Sequence, residues 1–322
     1  MKKRNESLDV CRGILICLVV IGHIIPYKTW IYSFHIPAFF FISGMLINEE
    51  KYMATSLPAF VKKKFLSLIV PYLFFEFLGA VENLIISGFT LSVLKSSVIN
   101  TLSVHCNVGA DWFLPTLFFA ELFYFLCVKY KLFCKVIFRV LISVSMLSVV
   151  FLIPSVIQIN YIIVDVLRVL LAFAFLNIGR LFSVFIDKIP KRINILCLVS
   201  AYVVNLIICF VNSKVEMWDC EFGNPVLYLL AAVSGFVFVY GISKMISSKF
   251  ISNIGINSII IMGTHQLILR VFDTMKISSL FSELFLYYFV EIIAVFIVEV
   301  IIVWFINRYL YFLVGKKKNE CR

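Results

Sequence analysis

Long apolar runs alternate along the chain with short polar or basic joints. Runs of about 17 to 25 residues, the length a helix needs to cross hydrocarbon, recur up to the C-terminus. They predict about ten transmembrane helices, at 9–27, 33–48, 65–88, 111–128, 133–152, 159–182, 193–212, 224–243, 255–272 and 284–313. The last run is long enough to be tilted or broken. The first begins behind a basic start, lacks a small-residue cleavage site and carries charge, so it is expected to stay in the chain. There is no repeat at a period of about 20 to 50 residues and no low-complexity linker. The expected fold class is an all-α, polytopic membrane protein, a single integral-membrane domain over 1–322.

Composition strengthens this reading, because 62% hydrophobic and only 15% charged residues exceed what a soluble core needs. The net charge of +11 would suggest nucleic acid as a partner of a soluble protein; here its distribution matters more. Of the 29 basic residues, 22 fall in alternate joints, at 2–4, 51–64, 129–139, 180–192, 244–249 and 308–322. The other joints hold Lys28, Lys95, Lys214 and Lys276, and Arg12, Arg168 and Arg270 lie within spans. The positive-inside rule then places both termini in the cytoplasm and makes the helix count even. No nucleic-acid partner is expected. The nine cysteines have no CxxC or other metal-ligand spacing, so no metal is expected. Cys106 and Cys220, both in outer loops, could pair.

Against this background the stretch RGILICLVVIGHI, residues 12 to 24, stands out. Its ionisable ends lie in or beside hydrocarbon, where such groups are costly unless something pairs or uses them. Eleven residues make about three turns, so Arg12 and His23 share one helix face about 16 Å apart along the axis. Asp9, three residues before Arg12, can pair with it. With the N-terminus inside, Arg12 is near the inner surface and His23 in the outer half of the membrane. Taken alone, Arg12 reads as a snorkelling anchor and His23 as a packing residue.

Other polar groups reach the depth of His23, however. His35 opens the second span from outside and Asp111 with Trp112 the fourth. Arg168 lies about two turns below the outer end of the sixth by the helical pitch. His265 and Glu291 occupy the outer halves of the last two. Ionisable groups from six helices in one layer point to a site; the competing reading is a polar network that only holds the bundle together.

The segments SLDVCRG and VVIGH, then FHIPAFFFISGML, VKKKFLSLIVPY, DWFLPTLFFAEL and NSIIIMGTHQ resemble, in this order, the integral-membrane acyltransferase family 3, especially its fucose 4-O-acetylase-like branch. The resemblance covers essentially the whole chain. It implies transfer of an acyl group, usually acetyl from cytosolic acetyl-CoA, to a hydroxyl of a glycan at the outer side of the bacterial plasma membrane. By match of motif it also implies that Arg12 and His23 are the functionally essential pair. No soluble hydrolase-like domain, such as some members carry, is expected in this chain.

Acyl transfer to a hydroxyl needs a base, and imidazole titrates close to where such a base works best. His23 is the first expectation, with His35 next. Arg168, Trp112 or the second imidazole would stabilise the oxyanion. Asp111 would orient a histidine or bind sugar hydroxyls, and Trp112 offers a flat face to a sugar ring. His265 and Glu291 are expected to bind substrate. Arg12 with Lys62, Lys63 and Lys64 would hold the phosphates of acetyl-CoA, although topology alone accounts for the lysines equally well. The expected partners are thus acetyl-CoA as donor substrate, a glycan or lipid-linked glycan acceptor and membrane lipid, with no permanently bound cofactor. Two other classes fit parts of the pattern. A glycan-intermediate transporter or flippase would need inverted repeats, which are not seen. A non-enzymatic polysaccharide-assembly protein leaves the base, the cationic column and the outer Trp unexplained.

Overall fold

The computed structural model describes residues 5–26, 28–133, 135–158, 160–186, 195–212, 215–281 and 283–317. The basic residues at 2–4, 188, 191, 192, 214, 318 and 322 lie outside the described residues. The regular secondary structure among the described residues is helical, apart from one antiparallel bridge between Glu216 and Glu221.

The helices are α1 (Glu6–Ile24), α2 (Thr29–Tyr32), α3 (His35–Met45), α4 (Glu49–Ala54), α5 (Leu57–Lys64), α6 (Val70–Ser87), α7 (Leu91–Leu102) and α8 (Phe113–Lys129). They continue as α9 (Val136–Val156), α10 (Tyr161–Ile186), α11 (Ile195–Val211), α12 (Pro225–Met245), α13 (Lys249–Ile256), α14 (Ser258–Thr274) and α15 (Leu284–Tyr309). Each of the ten apolar runs contains a helix. Six helices among the described residues are long and apolar enough to cross a membrane: Glu6–Ile24, Leu57–Ser87, Val136–Pro154, Tyr161–Val184, Pro225–Met245 and Leu284–Tyr309. The protein is therefore a polytopic membrane protein. A seventh span results if α13 and α14 count as one broken helix.

Three expectations change. The run at 255–272 is not one helix, because the chain breaks at Asn257, whose side-chain oxygen accepts from Asn307 Nδ2 at 2.7 Å instead of capping α14. The run at 284–313 is unbroken from Leu284 to Tyr309. The segment after α6 holds a further helix, α7, where an outer loop was expected.

Between α5 and α6 the helix widens into a π turn, Phe65–Ile69. Pro71 explains it: proline offers no N–H, and its ring crowds the carbonyl four residues back, that of Ser67. A wider turn at that point accommodates both.

The chain divides into two compact units. The first comprises Met1–Leu18, Tyr27–Phe60 and Phe119–Ile256, the second Val19–Pro26, Val61–Phe118 and Asn257–Arg322.

In the first unit, small residues let helix backbones meet. Gly44 of α3 lies directly against the Leu176 carbonyl of α10, and Gly179 of α10 against that of Phe41. A side chain at either position would drive the helices apart, which is how small residues promote helix association in lipid. At one end of this unit Glu49 ties four helices together. It accepts from Tyr124 at 2.7 Å, from Arg139 Nη2 at 2.7 Å and from Arg180 Nε at 3.3 Å. Burial opposes its ionisation, but the hydrogen bonds from Arg139 and Tyr124 and the two guanidinium charges hold the carboxyl below the usual carboxylate range. Lys129 donates to the carbonyls of Met53 and Thr55 at 2.7 and 2.9 Å.

The second unit packs around Phe75, Ile260, Ile306 and Val314. Gly263 of α14 is in contact with the Phe75 ring, leaving no room for a methyl group. This contact seats α14 on α6, and α14 carries the residues described next.

Candidate active site

Three segments of the second unit converge. The last turn of α1 brings His23, α14 brings His265 and Gln266, and the connection from α7 to α8 brings residues 103–112.

His265 is fully buried, and its Nδ1 lies 2.8 Å from the carbonyl oxygen of Ile261, one turn back. A carbonyl can only accept, so Nδ1 carries the proton and Nε2 keeps a lone pair. That Nε2 has no hydrogen-bond partner among the described residues. The His23 ring packs against it, with centroids 5.1 Å apart and planes inclined by 46°. His23 itself is exposed. The pair thus combines an open imidazole with a buried one whose tautomer is fixed by the helix that holds it.

Gln266 joins this pair to the 103–112 connection. The Ala110 N–H donates to Gln266 Oε1 at 3.1 Å, which leaves the amide nitrogen to face His23, at 3.4 Å from Nδ1 and 3.3 Å from Nε2. Gly109 permits this approach, since a Cβ there would stand 3.0 Å from Gln266 Oε1.

The connection needs a firm hold, because Val104 and Cys106 have φ of 56° and 54°. Such left-handed values are strained for a β-branched valine and persist only where the surroundings impose them. Glu76 of α6, fully buried, does so. Its Oε2 accepts from the Asn107 N–H at 2.7 Å, from Asn107 Nδ2 at 3.0 Å and from the Thr101 hydroxyl at 3.1 Å, and its Oε1 accepts from the Val108 N–H at 3.1 Å. Asn83 Nδ2 donates to Asn107 Oδ1 at 3.1 Å, and Arg270 of α14 donates to Asn83 at 3.1 Å while pairing with Glu82 at 2.7 Å. On α15, the buried Glu299 accepts from the Thr264 hydroxyl at 2.8 and 3.0 Å. Sequence reasoning missed Glu76, Glu82, Gln266 and Glu299 and gave Arg270 no role. The carboxylates had a visible signal, acidic residues inside apolar runs; Gln266 had only its place beside His265.

The expected residues divide between the units. His23, Asp111, Trp112, His265, Glu291, Lys63 and Lys64 belong to the second; Arg12, His35 and Arg168 belong to the first. Asp111 is fully buried, and neither carboxyl oxygen has a hydrogen-bond partner among the described residues, so it does not orient a histidine. Trp112 is 5% exposed and edge-on to Phe113, so it does not present the open face expected for a sugar ring. Glu291 is buried and accepts from Tyr287 on its own helix at 2.8 Å. Lys63 is exposed and Lys64 half-buried near the end of α5.

In the first unit, Arg12 pairs with Asp9 at 3.9 Å as expected. His35 is buried, its Nδ1 2.7 Å from the Ile31 carbonyl. Arg168 does not fit an oxyanion donor. It is 2% exposed, donates to Asp165 at 2.8 Å and twice to the Trp218 carbonyl, and stacks over the Trp218 ring at 4.1 Å. Its role is to fasten the loop between α11 and α12. Cys106, one of the two cysteines considered for pairing from sequence, lies in the second unit and Cys220 in the first. Among the described residues no three His, Cys, Asp or Glu side chains converge as a metal site requires.

Comparison with known proteins adds an independent line. Residues 5–308 match the acyltransferase 3 family, described as an acyltransferase domain. A nodulation protein, NolL, of Mesorhizobium japonicum is 30% identical over 126 residues, covering 34% of this chain and 32% of its own length. NolL of Sinorhizobium fredii is 33% identical over 129 residues, covering 34% and 33%. The chain thus spans about a third of the length of these curated relatives. No solved structure matches. The family match takes in both units and every segment that carries the site, and on that extent the chain belongs to the acyltransferase 3 family of membrane acyltransferases.

Proposed function

We propose that this acyltransferase moves an acetyl group from cytosolic acetyl-CoA to a hydroxyl of a cell-surface glycan at the outer side of a bacterial plasma membrane. The observation that carries the reading is the pair of His23 and His265, with Gln266 beside it. An exposed imidazole against a buried one with a fixed lone pair is suited to taking and returning a proton. In the proposed step, His23 takes the proton of the acceptor hydroxyl as its oxygen attacks the thioester carbonyl. The carbon–sulfur bond then breaks, and the CoA thiolate leaves with the proton from His23. Asp111, buried and without a hydrogen-bond partner among the described residues, is suited to accept from the hydroxyls of a glycan, since an unsatisfied buried carboxyl has most to gain from donors that a substrate brings.

The donor would be held at Arg12. Helix α1 is unbroken from Glu6 to Ile24, so Arg12 and His23 stand on one helix about 16 Å apart along its axis. Purified protein is expected to bind acetyl-CoA, and Arg12→Ala to weaken binding more than Arg12→Lys, because lysine keeps the charge but not the planar fork of donors. Calorimetric titration measures this; equal affinity in parent and both variants would return Arg12 to an anchoring role.

The same reading takes the ten apolar runs as ten spans with both termini cytoplasmic. Support comes from the first unit, where residues of joints assigned to one side meet: Glu49 with Arg139 and Arg180, and Lys129 with Met53 and Thr55. Cysteine labelling is expected to place positions beside Lys131 and Lys317 inside and those beside Asn107 and Asp219 outside. Asn107 found inside would remove the acceptor side of the proposal.

A further inference from the structure

Gln266 stands where two demands meet. Its Oε1 accepts from the Ala110 N–H, next to the buried Asp111, in a connection that Glu76 holds through the neighbouring Asn107 and Val108 N–H groups. This bond settles which way the amide points, because only the oxygen can accept. The NH2 end therefore faces the His23 ring at nearly equal distances from its two nitrogens. An amide N–H can bond only to a ring nitrogen that has no proton. An imidazolium, with protons on both nitrogens, would meet the amide donor-to-donor.

We propose that Gln266 is the positioning residue of the His23 base: anchored at one end by Ala110, it holds the imidazole in place and in its proton-accepting form until the acceptor arrives. This rests on the reading of His23 as the base. It adds a dependence that the histidine pair alone does not require, since a displaced 103–112 connection would release the amide and with it the base. The imidazole of His265 on α14 packs against His23, and its Nδ1–H bond to Ile261 keeps its own lone pair at Nε2.

Two variants separate positioning from mere support of the connection. Gln266→Glu keeps an oxygen for the Ala110 N–H but presents a carboxylate where the NH2 stood. A carboxylate favours the imidazolium, so the acid limb of the kcat/KM profile is expected to move to higher pH by about one unit. Gln266→Met removes both hydrogen bonds at similar size and is expected to lower kcat by about 10- to 100-fold, the scale of a misplaced catalytic group, with the acceptor KM little changed. Both are assayed on the full-length protein in detergent with labelled acetyl-CoA and whole surface glycan as acceptor, beside His23→Gln. If His23→Gln is inactive while Gln266→Glu keeps the parent pH profile and Gln266→Met the parent kcat, the positioning role is overturned and the base stands. If His23→Gln keeps activity, the underlying reading fails instead.

Discussion

Replacing His23 with glutamine is expected to lower acyl transfer by about 10²- to 10⁴-fold, the usual worth of a positioned general base. His23 is exposed in the last turn of α1, so the change leaves no cavity. Glutamine keeps a polar side chain that can bond Gln266 but cannot hold a proton near neutral pH. Amount in the membrane and thermal stability in detergent should match the parent, which separates a chemical defect from a folding one. Release of the free CoA thiol in the presence of acceptor measures turnover. His35→Gln serves as the control, because His35 is buried in the first unit with its Nδ1 committed to Ile31. Transfer retained in His23→Gln and lost in His35→Gln would move the base to the first unit.

The largest effect on stability is expected at Glu76. Four donors, the backbone N–H groups of Asn107 and Val108, the Asn107 amide and the Thr101 hydroxyl, converge on this one carboxylate. Glu76→Ala leaves buried donors without an acceptor and lets the left-handed residues at 104 and 106 relax. Loss of a buried, multiply hydrogen-bonded charged group typically costs on the order of 3–5 kcal/mol. Glu76→Gln turns one acceptor into a donor facing donors and is expected to cost less, about 1–3 kcal/mol. Thermal unfolding in detergent reads both, and the order Ala below Gln below parent is the expected one. Melting unchanged in Glu76→Ala would mean that the connection is held by something other than this carboxylate.

The helices were legible because lipid imposes a length on apolar runs: 224–243 became Pro225–Met245 and 159–182 became Tyr161–Ile186. Helix α7 was not, since Leu91–Leu102 mixes apolar residues with Ser, Lys, Asn and Thr and is too short to read as a span. The break at Asn257 was hidden for a different reason. It is supported by Asn307, 50 residues further on, and a contact at that separation leaves no periodic trace.

The site shows the same division. That His23 and Arg12 are unusual could be read from charge inside an apolar run, and Arg12 with Asp9 from their spacing on one helix. That His23 belongs with His265 could not, because the two are brought together only by the packing of the second unit. A shared depth was too coarse a criterion to tell Arg168, committed to the Trp218 carbonyl, from His265, whose Nε2 has no partner among the described residues. Side-chain bonds to backbone carbonyls decide such cases, and they have no signature in sequence.

The central claim, His23-dependent transfer of acetyl from CoA to a surface glycan, is tested most directly by isotope. Cells expressing the parent chain or His23→Gln at equal membrane levels are fed 13C-acetate, which enters the acetyl-CoA pool, and their surface glycan is isolated for NMR before and after mild base. The account predicts base-labile 13C O-acetyl esters on the glycan of the parent and their loss in His23→Gln. Equal ester signals in the two, or none in the parent above cells lacking the protein, would contradict it.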